Sequence, residues 1–274
     1  MDKVKVNGVE LEYEVAGSGE PLLLISLGPI ADSFVPFFSE KPLIERYQLI
    51  RYRQRGQLGG TQRPVPVSIA EHAADAAALL DRLGLRRIHV AGHSTGALIA
   101  LQLVIDDPDR VRTLALLEPP LASAPSAGAF FERAGPALAA YESGNREEAL
   151  VAFMCLAFSL DWETCRRLIE KHVPGGVAQA MQAVDSFFGS YLPALSTWQF
   201  GPSQAAAIAQ PVLSVLGTDS DPWFRDGHQL LQAWFPQLED CAVKGVAHLL
   251  HMQRPGPVTQ GVADFLARHP MSIA

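Results

Sequence analysis

The 274-residue chain carries a net charge of −7 with 48 % hydrophobic and 19 % charged residues, an ordinary globular profile with length for one large domain or one domain bearing an insertion. The acidic balance argues against nucleic acid or an anionic membrane as the main partner, and the longest apolar runs are too short to span a bilayer. Cys155, Cys165 and Cys241 are widely spaced, with no CxxC or Cys/His cluster, which disfavours a disulfide framework or a zinc site and fits a reducing compartment.

The N-terminal "MDKVKVNGVELEYEVAG" alternates polar and apolar residues around Asn7-Gly8, which predicts a β-hairpin. It contains no signal-peptide core, so a cytoplasmic location is expected. Short, nearly continuous apolar runs follow at 21–27, 47–52, 87–92, 111–119 and 211–217, with a weaker one at 238–248. Such runs suit strands buried on both faces, as in a parallel sheet. Helical patterns alternate with them. The segment 68–85 opens with a Ser68/Glu71 capping box and closes at Gly84; others follow Ser94 directly and fill "PGPVTQGVADFLARHP" near the end. The predicted fold class is α/β, a mostly parallel sheet with helices on both faces.

Residues 122–207 break this rhythm. They show helical signals and no strand, with punctuation at Pro136, Gly144, Pro174-Gly175-Gly176, Pro193 and Gly201-Pro202. We read 1–121 and 208–274 as the core domain and 122–207 as a helical cap inserted in it. The cap's many aromatic residues fill its own core and docking face, and a few of them are expected to line a pocket over the sheet edge.

Gly92-His93-Ser94-Thr95-Gly96 matches G-x-S-x-G. The pattern alone is weak. Its context is stronger, because "RIHVA" before it reads as a strand and "ALIALQLVI" after it as a helix, the strand-turn-helix setting that exposes a nucleophilic serine. The competing reading is a turn with an incidental serine.

With these residues the chain resembles the α/β-hydrolase family over nearly its whole length. The resemblance rests on "VAGHSTGALIALQL", on "YRQRGQLGGT" as a variant of the family's Asp-x-x-Gly-x-Gly-x-Ser region, on "PVLSVLGTDSDP" and on "VKGVAHLLHMQRP". It implies an eight-stranded sheet with a cap after strand six. His248, late in the chain between the last strand and the last helix, is the expected base. His251 is its nearest competitor and is expected to support it instead. His93 is expected to pack, and His72, His89, His172, His228 and His269 to be structural or solvated.

The acid is harder to place. The family's slot after strand seven holds Ser220, with Asp219 and Asp221 each one residue out of register. A second family address, the end of strand six, holds Glu118, an acid closing an apolar strand that needs a buried partner. Glu118 is the expected acid, with Asp221 and then Asp219 as alternatives. For the oxyanion hole the expected donors are the Thr95 N–H and that of Leu27 or Gly28; Pro29 has none. Ser26 stands where the family has histidine.

These readings converge on a cofactor-free serine hydrolase, of carboxylesterase or lactonase type, acting on a hydrophobic ester or lactone through an acyl-enzyme. The alternatives are a C–C bond hydrolase or lyase using the same triad, and a receptor-like protein binding a small ligand. The expected partner is a small hydrophobic substrate, with no metal, no cofactor, no nucleic acid and no membrane. A homodimer is left open.

Overall fold

The computed structural model describes residues 1–57 and 66–271. The described residues form one eight-stranded sheet in the order β1-β2-β4-β3-β5-β6-β7-β8. The strands are β1 (Asp2–Val6), β2 (Val9–Ala16), β3 (Glu20–Ile25), β4 (Tyr47–Arg53), β5 (Ile88–His93), β6 (Val111–Leu117), β7 (Val212–Gly217) and β8 (Leu238–Val243). β1 pairs with β2 and β2 with β4 antiparallel, whereas every pairing from β4 through β3 to β8 is parallel. Asn7 (φ 43°) and Gly8 (φ 79°) both adopt left-handed backbone between β1 and β2, the conformation that a two-residue hairpin demands.

The helices are α1 (Lys41–Ile44), α2 (Ile69–Arg82), α3 (Thr95–Asp106), α4 (Ala127–Glu142), α5 (Arg146–Phe158), α6 (Trp162–His172), α7 (Gly176–Gln182), α8 (Val184–Ser186), α9 (Leu192–Thr197), α10 (Pro202–Ala206), α11 (Pro222–Trp234), α12 (Leu250–Gln253) and α13 (Pro255–Arg268). A π-helical turn, Phe187–Tyr191, links α8 to α9. The continuous apolar runs are explained by the pleat. Leu23, Ile25, Val90, Leu114 and Leu116 join one core with residues of α2 and α3. Their neighbours Leu22, Leu24, Ala91, Ala115 and Leu117 join a second core with Val258, Val262 and Phe265 of α13.

Helices alone occupy the chain between β6 and β7. Gly144 (φ 86°) separates α4 from α5, and Gly175 (φ 80°) precedes α7. Pro136 departs from expectation: α4 runs straight through it. Pro136 and Glu132, whose carbonyl loses its partner, both face solvent, so water takes the freed bond. Several hydrogen bonds tie these helices to the sheet side. Arg133 Nη2 donates to Asp221 Oδ2 at 2.6 Å, Gln179 Nε2 to Asp32 Oδ2 at 3.0 Å, and Tyr191 OH to Gln54 Oε1 at 3.0 Å. Among the described residues no helix is long and apolar enough to cross a membrane.

Candidate active site

Ser94 sits between β5 and α3 with φ 55° and ψ −125°, a conformation that side-chain-bearing residues avoid and that costs about 1–3 kcal/mol. The turn is pinned on both sides: Ser94 N–H donates to Leu117 O at 2.9 Å, and Ala97 N–H to Ser94 O at 2.9 Å. The flanking glycines are required by contact. A Cβ at Gly92 would stand 2.4 Å from Gly96 O, and one at Gly96 would stand 2.1 Å from Ile25 O. The strand, the helix and the end of β3 therefore meet around Ser94 at distances that no side chain permits.

His248 follows β8, just ahead of α12, and is 1 % exposed. Its Nδ1 lies 2.5 Å from Glu118 Oε2, with both side chains buried. Glu118, one residue past β6, has φ 48°, which turns the chain off the strand before Pro119. Its other oxygen, Oε1, accepts from Gly217 N–H at 2.7 Å and from Ser220 Oγ at 2.6 Å. A carboxylate this deep needs such partners, and it has three.

The two alternative acids are elsewhere. Asp221 caps α11, accepting from Trp223 N–H at 3.0 Å, and pairs with Arg133. Asp219 is exposed and accepts from Thr218 Oγ1 at 2.9 Å. Neither reaches His248, because the turn after β7 directs Ser220 inward and its neighbours away. Ser220 was legible only as the occupant of an acid's slot; its role as a donor to Glu118 emerges from the fold.

Thr95, Leu27 and Gly28 all line the cavity beside Ser94. The Thr95 N–H opens α3 and has no carbonyl one turn back to bond. Among the described residues, the N–H groups of Leu27 and Gly28 donate no hydrogen bond, while their carbonyls are turned away and held. Gln57 Nε2 donates to Leu27 O at 3.1 Å and to Gly28 O at 3.0 Å, and Gln54 Nε2 donates to Ser26 O at 2.8 Å. This glutamine clamp was not anticipated from "YRQRGQLGGT"; the end of that segment, residues 58–61, lies outside the described residues.

Behind His248 lie two further buried histidines. The His93 ring centroid is 4.7 Å from that of His248, and the His251 centroid is 4.4 Å from that of His93. Burial pushes His93 well below the ordinary histidine range and His251 down to about 3, so both are neutral. His93 packs between His248 and His251, and His251, which was expected to support His248, lies against Phe34 and His93. Of the remaining five, His72 and His89 are buried, His172 and His228 half-buried, and His269 half-buried against Glu239.

A pocket opens over Ser94 and His248. Its walls come from the β3 loop, from Pro120, from Phe130, Phe153, Met154, Ala157, Phe158, Phe187, Leu192 and Leu195 of the helices after β6, and from Trp223 and Phe224. Among the described residues, the lining side chains other than Ser94, Thr95 and His248 are apolar, and none of them is an acid, a lysine or an arginine. Ser94 Oγ and His248 Nε2 make no hydrogen bond among the described residues, so both are available to an occupant. Among those residues no group of three or more His, Cys, Asp or Glu could hold a metal ion.

A family model described as the alpha/beta hydrolase fold matches residues 23–255. The chain belongs to the alpha/beta hydrolase fold family. Among curated relatives of this chain, RutD of Azorhizobium caulinodans, a protein named for carbamate hydrolysis, is 38 % identical over 110 residues, 39 % of this chain and 40 % of its own length. The RutD of Klebsiella pneumoniae subsp. pneumoniae is 29 % identical over 208 residues, 73 % of this chain and 74 % of that protein. The match thus spans well under half of the first relative and about three quarters of the second. Among solved structures, Est816, an N-acyl homoserine lactone degrading enzyme, superposes with a TM-score of 0.71 at 25 % identity, covering 96 % of this chain and 100 % of its own. A thermophilic esterase from Thermogutta terrifontis superposes with a TM-score of 0.79 at 21 % identity, covering 98 % and 100 %, a likeness of fold.

Proposed function

We propose that this hydrolase cleaves neutral, hydrophobic esters or lactones through an acyl-enzyme on Ser94. The observation that carries the reading is the single line Glu118–His248 ending at an apolar pocket whose floor is Ser94. Ser94 Oγ attacks the acyl carbonyl while His248 Nε2 takes its proton; the proton then passes to the leaving alkoxide, and water repeats the sequence to release the acid. Glu118 accepts the Nδ1–H, fixes the tautomer and stabilises the imidazolium without taking its proton. Thr95 N–H, with Leu27 or Gly28 N–H, stabilises the oxyanion. The Ser94–His248 contact forms with substrate in place, as catalytic hydrogen bonds in free enzymes commonly do.

The pocket chemistry selects among activities. A charged substrate would bring its charge against walls that, among the described residues, hold no cation. An uncharged acyl chain instead meets phenylalanine, leucine and methionine side chains. The match to Est816 supports including lactones, whose ring opening uses the same acyl chemistry. Stoichiometric labelling of Ser94 by a fluorophosphonate, with turnover of p-nitrophenyl esters and of acylated lactones that Ser94→Ala abolishes, is the expected result. Tight binding of such compounds by folded protein with no labelling and no turnover would instead establish the receptor-like alternative.

A further inference from the structure

Phe224 lies flat on the imidazole of His248: the ring centroids are 3.7 Å apart and the planes 11° from parallel. Both residues are buried and both line the pocket. No other ring contact of His248 is so close; His93 stands at 4.7 Å and 47°, and Phe158 at 6.0 Å and 31°. We infer that Phe224 is a positioning residue for the base, holding the imidazole in the plane that aims Nε2 into the pocket and favouring its protonated form. The inference rests on the hydrolase reading above and assigns a part of its machinery that the triad leaves out.

The hydrogen bond to Glu118 restrains the imidazole at Nδ1, and contacts on the ring faces restrain its remaining rotation about Cβ–Cγ. A flat partner at van der Waals distance supplies such a contact. Phe224 is itself immobilised. It occupies the first turn of α11, where its N–H donates to Asp221 O at 3.0 Å, and its ring stacks on Trp223 at 5.6 Å and 24°. Trp223 is locked in turn, donating through Nε1 to Leu121 O at 2.8 Å and packing on Phe130 at 4.4 Å. The Arg133–Asp221 pair then anchors the start of this helix to α4. Asp221, an alternative acid on sequence grounds, thus seats the helix that carries the aromatic plate.

The electrostatic side follows from what faces His248. The titratable groups packed against it are Glu118 from the end of β6, His93 from β5 and, behind His93, His251 from α12. Both of those histidines are neutral, so Glu118 supplies the charge and Phe224 supplies the negative face of a π system. A cation over such a face is attracted to it, most strongly where water is excluded. The imidazolium that forms as Ser94 attacks gains this contact, while the neutral imidazole gains less.

The test replaces the π face while keeping an apolar side chain: Phe224→Leu, with Phe224→Tyr as the conservative control and Phe224→Met in place of leucine should that variant not fold. In Phe224→Leu the acidic limb of the kcat/KM profile, read on a p-nitrophenyl ester, moves to lower pH by about half to one unit. The plateau falls about 10-fold or more, in kcat more than in KM. Phe224→Tyr stays near wild type on both measures. The His248 titration followed by NMR in a Ser94→Ala background gives the same downward shift without any turnover. A plateau that falls while the limb and the NMR titration stay in place, or a limb that moves to higher pH, overturns the assignment. Failure of wild-type Ser94 to react with a fluorophosphonate refutes the hydrolase reading instead, and the NMR titration still decides the role of Phe224.

Discussion

Ser220 Oγ donates a 2.6 Å hydrogen bond to Glu118 Oε1, so the position after β7 where the family keeps its acid holds the acid that ends β6. The two addresses are neighbours across one pair of parallel strands: Glu118 N–H donates to Val215 O at 3.2 Å. One hydrogen bond thus joins the side chains at the two strand ends beside His248.

This relationship predicts an asymmetric mutant pair. Glu118→Gln, which removes the charge and can present the wrong hydrogen-bonding partner to Nδ1, is expected to lower kcat/KM by about 10³-fold or more. Asp221→Asn keeps a competent helix cap and loses only the pairing with half-exposed Arg133, so activity should stay within about tenfold and stability within about 1 kcal/mol. Ester kinetics and urea titrations on both proteins check it. Equal losses in the two variants would sink the assignment of Glu118.

The oxyanion side makes a separate prediction through Gln57. Its Nε2 holds the carbonyls of Leu27 and Gly28, and its Oε1 accepts from Gln54 N–H at 2.8 Å. Gln57→Leu leaves two buried carbonyls without that donor, at a cost of about 1–3 kcal/mol each. It also lets the loop rotate, so kcat should fall about 10-fold or more with KM little changed. An unaltered kcat in a folded Gln57→Leu variant would show that the loop needs no clamp.

Much of this was legible in the sequence, for identifiable reasons. Ser94 and His248 lie in local patterns, a strand–turn–helix and a post-strand loop, that the chain declares within a dozen residues. Glu118 was legible because an acid closing an apolar strand demands a partner. The glutamine clamp and the Phe224 plate were not, because each acts across elements distant in sequence: Gln57 reaches back about thirty residues, and Phe224 meets His248 from the first turn of α11. Neither residue type carries a chemical signature of its own. Pro136 misled in the opposite sense, since propensity marks it as a break while its solvent-facing position makes it tolerable.

Buried neutral histidines give the protein an acid-sensitive stability. Burial lowers His72 from 6.5 to about 4 and His251 from 6.5 to about 3. The unfolded chain takes up these protons as pH falls through 6.5, and the folded chain does not until the lower values. Their stabilising contribution is therefore complete above pH 6.5 and is lost progressively down to about pH 4 for His72 and about pH 3 for His251. Each contributes a slope of up to about 1.4 kcal/mol per pH unit inside its window. His251→Phe, placed against Phe34 and Phe37, should flatten the urea-midpoint profile between pH 6 and 4. Parallel profiles for wild type and variant would show that His251 is protonated in the folded chain.

The neighbouring addresses also allow the acid to be moved back. Glu118→Ala alone leaves His248 Nδ1 without its acceptor and Ser220 Oγ and Gly217 N–H without theirs, so activity should fall by about 10³-fold or more. Adding Ser220→Asp returns a carboxylate to the space the glutamate has vacated, beside the same Gly217 N–H and within the same turn. The double variant is expected to recover about 10-fold or more over Glu118→Ala in kcat/KM, whereas Ser220→Asp on its own forces two carboxylates together and should be less stable and less active than wild type. The comparison is internal, since the same substitution at Ser220 harms one background and helps the other. A double variant no more active than Glu118→Ala, in folded protein whose Ser94 still accepts a fluorophosphonate slowly, would show that the two addresses are not interchangeable and that the backbone turn at Glu118 is itself needed to aim the acid.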